Sequence, residues 1–336
     1  MTEYTKFNFM FFFSSNAPVY YKIMLHDAFA LSNVRAMDTV LNKTDKGLNI
    51  NFVPYRPANN PAAFKNPQAF NANDTDAFAK DFPVKNPIVF FFWANDFNTL
   101  RSFNFFNYLR KNYPGCKLVC WLTNPVHHYQ QFLKLFTDKA ATNEFISTFD
   151  CVLTYNLLDV IDYGFTYMEG PYSVFPCKQP NTDIDIFYVG APKNRIEKIL
   201  RAYESFKAAG FVCDFYIGNV YASVPSRSDL HFGEYLPYTE ALARVLRSKA
   251  VLDIAHTRNY GLTLRYYESL AYNKIFITDN TFYRQERFAS PKLFLIDKSL
   301  EIDKEKFMHA AELPSNYKNE YSPLRLISFL ESVLNS

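Results

Sequence analysis

The sequence predicts an α/β protein built on two doubly wound parallel sheets. Short apolar runs at residues 9–13, 88–93 and 117–121 are continuous rather than alternating, as strands are when helices cover both faces of a sheet. The second half alternates strand-like and helix-like segments from residue 185 to residue 296, and strict alternation implies right-handed crossovers in a parallel sheet. The chain has 336 residues, enough for about two such domains.

Each element has a local reason. Residues 99–113 show helical spacing at Leu100, Phe103, Phe106 and Leu109 and stop at Pro114-Gly115, which makes a β-α-β unit with the strands on either side. Residues 54–87 are rich in Asn, Pro and Ala and read as a long surface excursion. Residues 150–155 form another strand, and Pro171, Pro176 and Pro180 mark the connection to the second domain. There, a strand at 185–189 ends at Gly190. An amphipathic helix follows over 196–209, with Ile196, Ile199, Leu200, Tyr203 and Phe206 on one face and Gly210 as its stop. Next come a strand at 211–217, a helix near 239–247, a strand at 250–254, a helix near 262–272, and strands at 275–278 and 293–296. A last amphipathic helix, apolar at 324, 327, 330 and 334, is expected to pack back across the domains. The domains so read are residues 1–175 and 184–318, with the terminal helix in 319–336.

Composition removes several classes. Hydrophobic residues make up 49% of the chain, which excludes wholesale disorder. The 35 Phe and 24 Tyr fall largely in the strand runs and read as core. A net charge of +3 from 36 basic and 33 acidic residues shows no Lys/Arg block, so no nucleic-acid partner is expected, and an anionic small substrate suits the mild positive balance. The five cysteines are an odd number without a second zinc-spaced pair, and read as reduced thiols of a cytoplasmic protein. The apolar run after Lys6 is too short to span a bilayer. A soluble chain is expected, with peripheral contact at the inner face of a membrane and homo-oligomerisation both compatible.

Only Gly47 and Gly115, of nine glycines, precede residue 160, and the turn after Phe13 reads Ser14-Ser15-Asn16-Ala17-Pro18. That turn lacks the glycines a dinucleotide site needs, and no phosphate-loop motif occurs. Nicotinamide-type oxidoreductases and P-loop NTPases are therefore disfavoured.

Two glycine turns stand where a doubly wound domain binds ligands, beyond the carboxyl ends of strands. In the first, Gly190 allows a close backbone turn, and Lys193 and Arg195 open the following helix. Cations beside a helix N-terminus form an anion site. In the second, the strand Ala250-Val251-Leu252-Asp253-Ile254 leads through a polar loop to Gly261-Leu262-Thr263-Leu264-Arg265-Tyr266-Tyr267-Glu268. Arg265 and Glu268 share a helical face, about 4.5 Å apart along the axis. That offset suits a diphosphate on the arginine and a ribose diol on the carboxylate. The plainer reading is an exposed i,i+3 ion pair, worth a few tenths of a kcal/mol.

The pattern G-L-T-x-R-x-x-E-x-L, preceded by a glycine turn with Lys/Arg and followed by Asn273-Lys274-Ile275-Phe276-Ile277-Thr278, resembles the nucleotide-binding half of GT-B glycosyltransferases. It is similar, more narrowly, to bacterial enzymes that build surface polysaccharides. The likeness covers residues 183–297 well and the first half only generally. It implies two Rossmann-like domains facing a central cleft, a frame in which the excursion over residues 54–87 would suit an acceptor-side loop. It also implies transfer of a sugar from a nucleotide-diphosphate donor, with UDP expected, to a saccharide or lipid-linked acceptor. Glu268 would then hold the ribose, and Gly190, Lys193, Arg195, Gly261, Thr263 and Arg265 the diphosphate. Of the two glutamates that frame the donor eight positions apart in the broad family, the second maps to Glu268 and the first falls on Tyr260.

Arg265 and Lys193 are the expected catalytic cations. With Arg195 and the helix dipole they would stabilise the leaving diphosphate without a metal, and no cofactor beyond the donor is expected. Asp183-Ile184-Asp185 imitates a metal-binding D-x-D, but begins a strand, away from the ligand end. A base for the acceptor hydroxyl would come from His26, Asp27, Asp96, His127 or His128. Two other readings share the architecture: a nucleotide-sugar epimerase and a non-catalytic donor-binding subunit.

Overall fold

The computed structural model describes residues 6–14, 19–44, 47–55, 78, 82–175, 180–219, 229–234, 236–256 and 259–335. The turn after Ser14 and most of the excursion expected over residues 54–87 lie outside them. The chain divides into two compact units, Met1–Ser173 with Tyr321–Ser336, and Val174–Glu320.

The first unit contains β1 (Asn8–Ser14), α1 (Val19–Met24), β2 (Val34–Thr44), β3 (Gly47–Tyr55), β4 (Ile88–Trp93), α2 (Phe97–Ser102), α3 (Phe105–Asn112), β5 (Lys117–Leu122), α4 (Val126–Leu133), α5 (Lys139–Thr148), β6 (Cys151–Thr154), α6 (Leu157–Tyr163) and β7 (Thr166–Tyr167). Its seven strands run in the order β3-β2-β1-β4-β5-β6-β7. All pairs are parallel except the β2–β3 hairpin. The hairpin has no counterpart in the sequence expectation, and its antiparallel edge departs from an all-parallel sheet. The chain leaves β1 for β2 on one side and returns to β4 on the other, so β1 and β4 flank the topological switch point.

Phenylalanine runs work here because both faces of β1 and β4 are covered. On one face Phe12 stacks on Phe92 at 5.1 Å and meets Phe105 edge-on at 5.6 Å. On the other, Phe11 meets Phe91 at 4.8 Å and Phe13 meets Trp93 at 5.7 Å. Phe12 is only 1% exposed. Phe12→Ala should therefore cost about 3–5 kcal/mol, read as a fall in the urea midpoint of the first unit's transition.

The single helix expected over 99–113 is two, α2 and α3. Asn104 adopts a left-handed conformation, φ 55°, which asparagine tolerates better than most residues. Its Oδ1 accepts from Asn107 Nδ2 at 2.6 Å. The apolar spacing survives the break, since Leu100, Phe106 and Leu109 are all buried.

The second unit contains β8 (Ile184–Gly190), α7 (Ile196–Ala208), β9 (Cys213–Gly218), β10 (His231–Gly233), α8 (Tyr238–Arg247), β11 (Ser248–Asp253), α9 (Leu264–Ala271), β12 (Ile275–Thr278), β13 (Leu293–Leu295) and α10 (Lys304–Glu312). Its six strands are all parallel, in the order β10-β9-β8-β11-β12-β13. The switch point lies at the carboxyl ends of β8 and β11. Helix α7 ends as its sequence directs. Gly210, at φ 77°, lets Phe211 N–H reach Phe206 O at 3.0 Å and Gly210 N–H reach Lys207 O at 2.9 Å, the paired bonds of a Schellman stop.

The last helix, α11 (Pro323–Leu334), belongs to the first unit. Tyr321 O just before it accepts from Tyr172 N–H at 2.6 Å, and Glu331 on it accepts from Lys6 N–H at 3.1 Å. Its buried stripe is Pro323, Leu326, Ile327 and Leu330, whereas Leu324, expected on that face, is exposed. The i, i+3, i+4, i+7 spacing from Pro323 decides which face is inside. Cys116, Cys120, Cys151 and Cys213 are free thiols, the first three buried, and Cys177 is outside the described residues.

Candidate functional site

The switch point of the second unit gathers most of the residues singled out by sequence. Gly190 ends β8, and a Cβ there would stand 3.1 Å from the Tyr188 hydroxyl. Glycine thus leaves room for that tyrosine to lean along the strand toward its carboxyl end. The turn continues through Lys193, exposed and held at φ 47°, a strained region for a long side chain. Desolvation first, and the Arg195 guanidinium second, pull the Lys193 ammonium below its ordinary pKa.

Arg195 immediately precedes α7 and spans the switch point. Its Nη1 donates to Ile254 O after β11, its Nη2 to Ala191 O after β8 at 2.8 Å, and its Nε to Pro192 O at 3.4 Å. The guanidinium is a strap joining two strand ends, with its positive charge left in the crevice. Asp279, following β12, is tied in the same way: it accepts from Ala255 N–H at 2.6 Å and pairs with Lys198 of α7.

The helix expected to open with Gly-Leu-Thr starts three residues later, at Leu264. Gly261 and Leu262 are buried in the approach and Thr263 is the residue before α9. Thr263 turns its hydroxyl to Asp253 Oδ2, 3.2 Å away, and donates its N–H to the Tyr283 hydroxyl at 3.1 Å. Arg265 and Glu268 form an ion pair, but not the exposed pair of the plainer reading. The Arg265 side chain is 16% exposed and that of Glu268 is 0%. Burial works against the charged guanidinium, yet the Glu268 carboxylate outweighs it and holds the Arg265 pKa above its ordinary value. Glu268 Oε1 is buried without a hydrogen-bond partner, an arrangement that calls for an explanation in a folded protein. Among the assigned donor residues, Lys193, Arg195, Thr263 and Arg265 are accessible, and Glu268 is enclosed behind Arg265.

Asp253 is the member that sequence reading passed over. It ends β11 at the switch point, and its pKa is pushed up to about 6 by burial, with Asp279 adding to the shift and Arg195, Thr263 and Arg265 opposing it. The signal was present, since a carboxylate ends an apolar strand at Leu252-Asp253 and again at Thr278-Asp279. The D-x-D mimic is elsewhere, at the amino end of β8. Asp183 pairs with Arg247, and Asp185 accepts from Val212 N–H at 2.8 Å and from Lys249 Nζ at 2.7 Å.

The switch point of the first unit also holds a carboxylate. Asp96 follows β4 and accepts from both the hydroxyl and the backbone N–H of Ser14, at the end of β1. Burial nevertheless pushes its pKa up to about 7, the Ser14 bonds pulling the other way. Of the other base candidates, His26 Nδ1 lies 3.5 Å from Asp27 Oδ1, and His128 packs on Phe132 at 4.6 Å. Asp96 stands at the carboxyl end of β4, at the switch point, with its pKa pushed up to about 7.

No family model and no curated protein matches the sequence. Solved structures do match. One is an α-glucosyltransferase in complex with UDP and a 13-mer DNA containing an HMU base, with a TM-score of 0.55 at 12% identity, covering 97% of this chain and 94% of that one. Another is an α-glucosyltransferase in complex with UDP-glucose and DNA containing an abasic site, with a TM-score of 0.52 at 12% identity over the same shares. These complexes overturn the expectation that nucleic acid is excluded as a partner. Charges dispersed along a sequence can gather on a folded surface, so the lack of a basic run is no ground for excluding DNA from this fold. Both matches span nearly the whole of either chain, and the fold of the protein is accordingly the two-unit, Rossmann-like GT-B fold of glycosyltransferases.

Proposed function

We propose that the protein is a glycosyltransferase that moves a sugar from a UDP-sugar to an acceptor hydroxyl. The observation that carries this reading is the meeting of Arg195 and Arg265, beside Asp253 and the start of α9, at the switch point of the second unit. Ligands of open α/β sheets bind outside the carboxyl ends of strands at such a point. Fixed guanidinium groups there can stabilise the negative charge that develops on a departing diphosphate. In this reading Arg265 contacts the diphosphate, Lys193 and Arg195 add positive potential, and the chemistry needs no metal. Glu268, enclosed behind Arg265, positions it from within.

The acceptor hydroxyl must also lose a proton. Asp96 has the chemistry of that base, because a carboxylate with a pKa near neutrality is both ionised and basic enough to serve. A saccharide or lipid-linked acceptor in surface-polysaccharide synthesis follows from the sequence resemblance. A hydroxyl on DNA is a second reading, favoured by the DNA-bound structures that share the fold.

The test is a thermal-shift series with UDP, ADP, GDP and UDP-sugars, followed by assay of UDP release in EDTA. A ligand at one hundred times its Kd stabilises the folded state by about 2.7 kcal/mol. UDP-sugars should raise the melting temperature, and UDP should be released on addition of either a saccharide acceptor or DNA containing an HMU base. If no nucleotide shifts the transition, the donor site is wrong. Binding without release would leave a non-catalytic subunit.

A further inference from the structure

The crevice at the β8/β11 switch point is internally neutralised. Arg195 enters it from the turn before α7 and Arg265 from α9, and they face Asp253 at the end of β11. Glu268 is committed to Arg265, and Asp279 to Lys198 and Ala255 N–H. The Tyr188 hydroxyl on β8 feels Arg195, Asp253, Arg265 and Asp279, and the Tyr283 hydroxyl after β12 feels Asp253. Asp253 differs from the other two carboxylates. Its hydrogen-bond partner is one neutral hydroxyl, Thr263 Oγ1 at 3.2 Å, and it is half-buried where Glu268 is fully enclosed. It therefore stands where an incoming anion would compete for both arginines.

We propose that Asp253 is a proton-accepting member of the donor site, balancing Arg195 and Arg265 while the site is empty and becoming protonated when a nucleoside diphosphate takes its place against them. The inference rests on the donor-site reading above. The step is a simple acid–base exchange: a solvent proton bonds to a carboxylate oxygen of Asp253, no other bond changes, and the neutral carboxyl can then donate a hydrogen bond to a phosphate oxygen. The physics is like-charge repulsion, since a carboxylate already made weakly acidic by burial cannot stay ionised beside added phosphate charge. In the empty site its pKa of about 6 leaves it ionised above neutrality, so binding is where the proton enters. Asp253 thereby acts as a counter-charge to Arg195 and Arg265 until the diphosphate arrives.

The experiment is calorimetry of UDP binding to the full chain at about pH 7.5, in buffers of different ionisation enthalpy. The wild type should take up a large fraction of one proton per UDP, and its affinity should fall as the pH rises, by up to about tenfold per unit between the free-site pKa of about 6 and the higher bound-state pKa, and level off above that. Asp253→Asn should bind UDP with that uptake removed, leaving only the nucleotide's own titration. Thr263→Val is a second variant: without the hydroxyl that favours the ionised form, Asp253 starts partly protonated and uptake should shrink. Equal proton uptake in wild type and Asp253→Asn, or none in the wild type, overturns the proposal while the donor site stands. No binding of UDP by the wild type overturns both.

Discussion

Arg265→Ala is expected to lose about 3–5 kcal/mol of stability, because it strands a buried carboxylate without its partner. From sequence alone the pair reads as a surface grip that could be trimmed without harm. The enclosure of Glu268 reverses that expectation. Replacing both members, Arg265→Met with Glu268→Gln, removes the two charges together and should stay near wild-type stability, as neutral replacements of buried ion pairs often do. The double variant should lose the thermal response to UDP, and transfer should fall by about 10²–10³-fold, the size of effect seen when one fixed electrostatic group is removed. Urea denaturation separates the two predictions. A double variant that folds and still responds to UDP would remove Arg265 from the ligand site.

Asp96→Asn should reduce turnover by about 10²–10⁴-fold, the usual contribution of a general base, while the thermal response to UDP is retained. The pH dependence has a definite sign. The Asp96 pKa is raised from 3.8 to about 7, so the base is protonated and idle below that value. The kcat/KM of the wild type should fall as the pH drops through about 7. Stability moves the opposite way. A carboxyl whose pKa is raised by folding binds its proton more tightly in the folded state, so its ionisation destabilises the fold as pH rises from about 4 to about 7. Asparagine cannot ionise. The variant should consequently be more stable than the wild type above neutrality, and a melting-temperature series against pH checks this. Loss of turnover with no gain in alkaline stability would indicate a structural role for Asp96.

Much of the second unit was legible. Helix α7 begins at Ile196 and stops at Gly210 as its sequence directs, because apolar spacing and a left-handed glycine are local signals. The terminal helix was likewise legible in extent. Its buried face was misread by one position, since Leu324 and Pro323 both fit an apolar stripe and only packing selects. The β2–β3 hairpin and the break at Asn104 were missed: the first lies in a stretch without strong alternation, and the second keeps the apolar spacing of one helix across two.

The candidate site divides along the same line. Gly190, Lys193, Arg195, Thr263, Arg265 and Glu268 could be picked out because their residue types sit at strand–helix turns, a local pattern. Their roles could not. Arg195 is a strap for strand ends, Glu268 supports Arg265 from within, and Asp253, marked in the sequence only as a carboxylate ending an apolar strand, joins the site through Thr263.

By itself, then, the sequence determined the strand–helix alternation, the parallel sheets and the turns where a ligand would lie, since these depend on periodicity and turn chemistry within a few residues. Tertiary structure alone decided which charges meet and which are shielded from water. Asp96 with Ser14, Arg195 with Ile254 and Asp253 with Thr263 are brought together from separate segments. Desolvation and Coulomb energy depend on distance through space, which residue order does not encode locally.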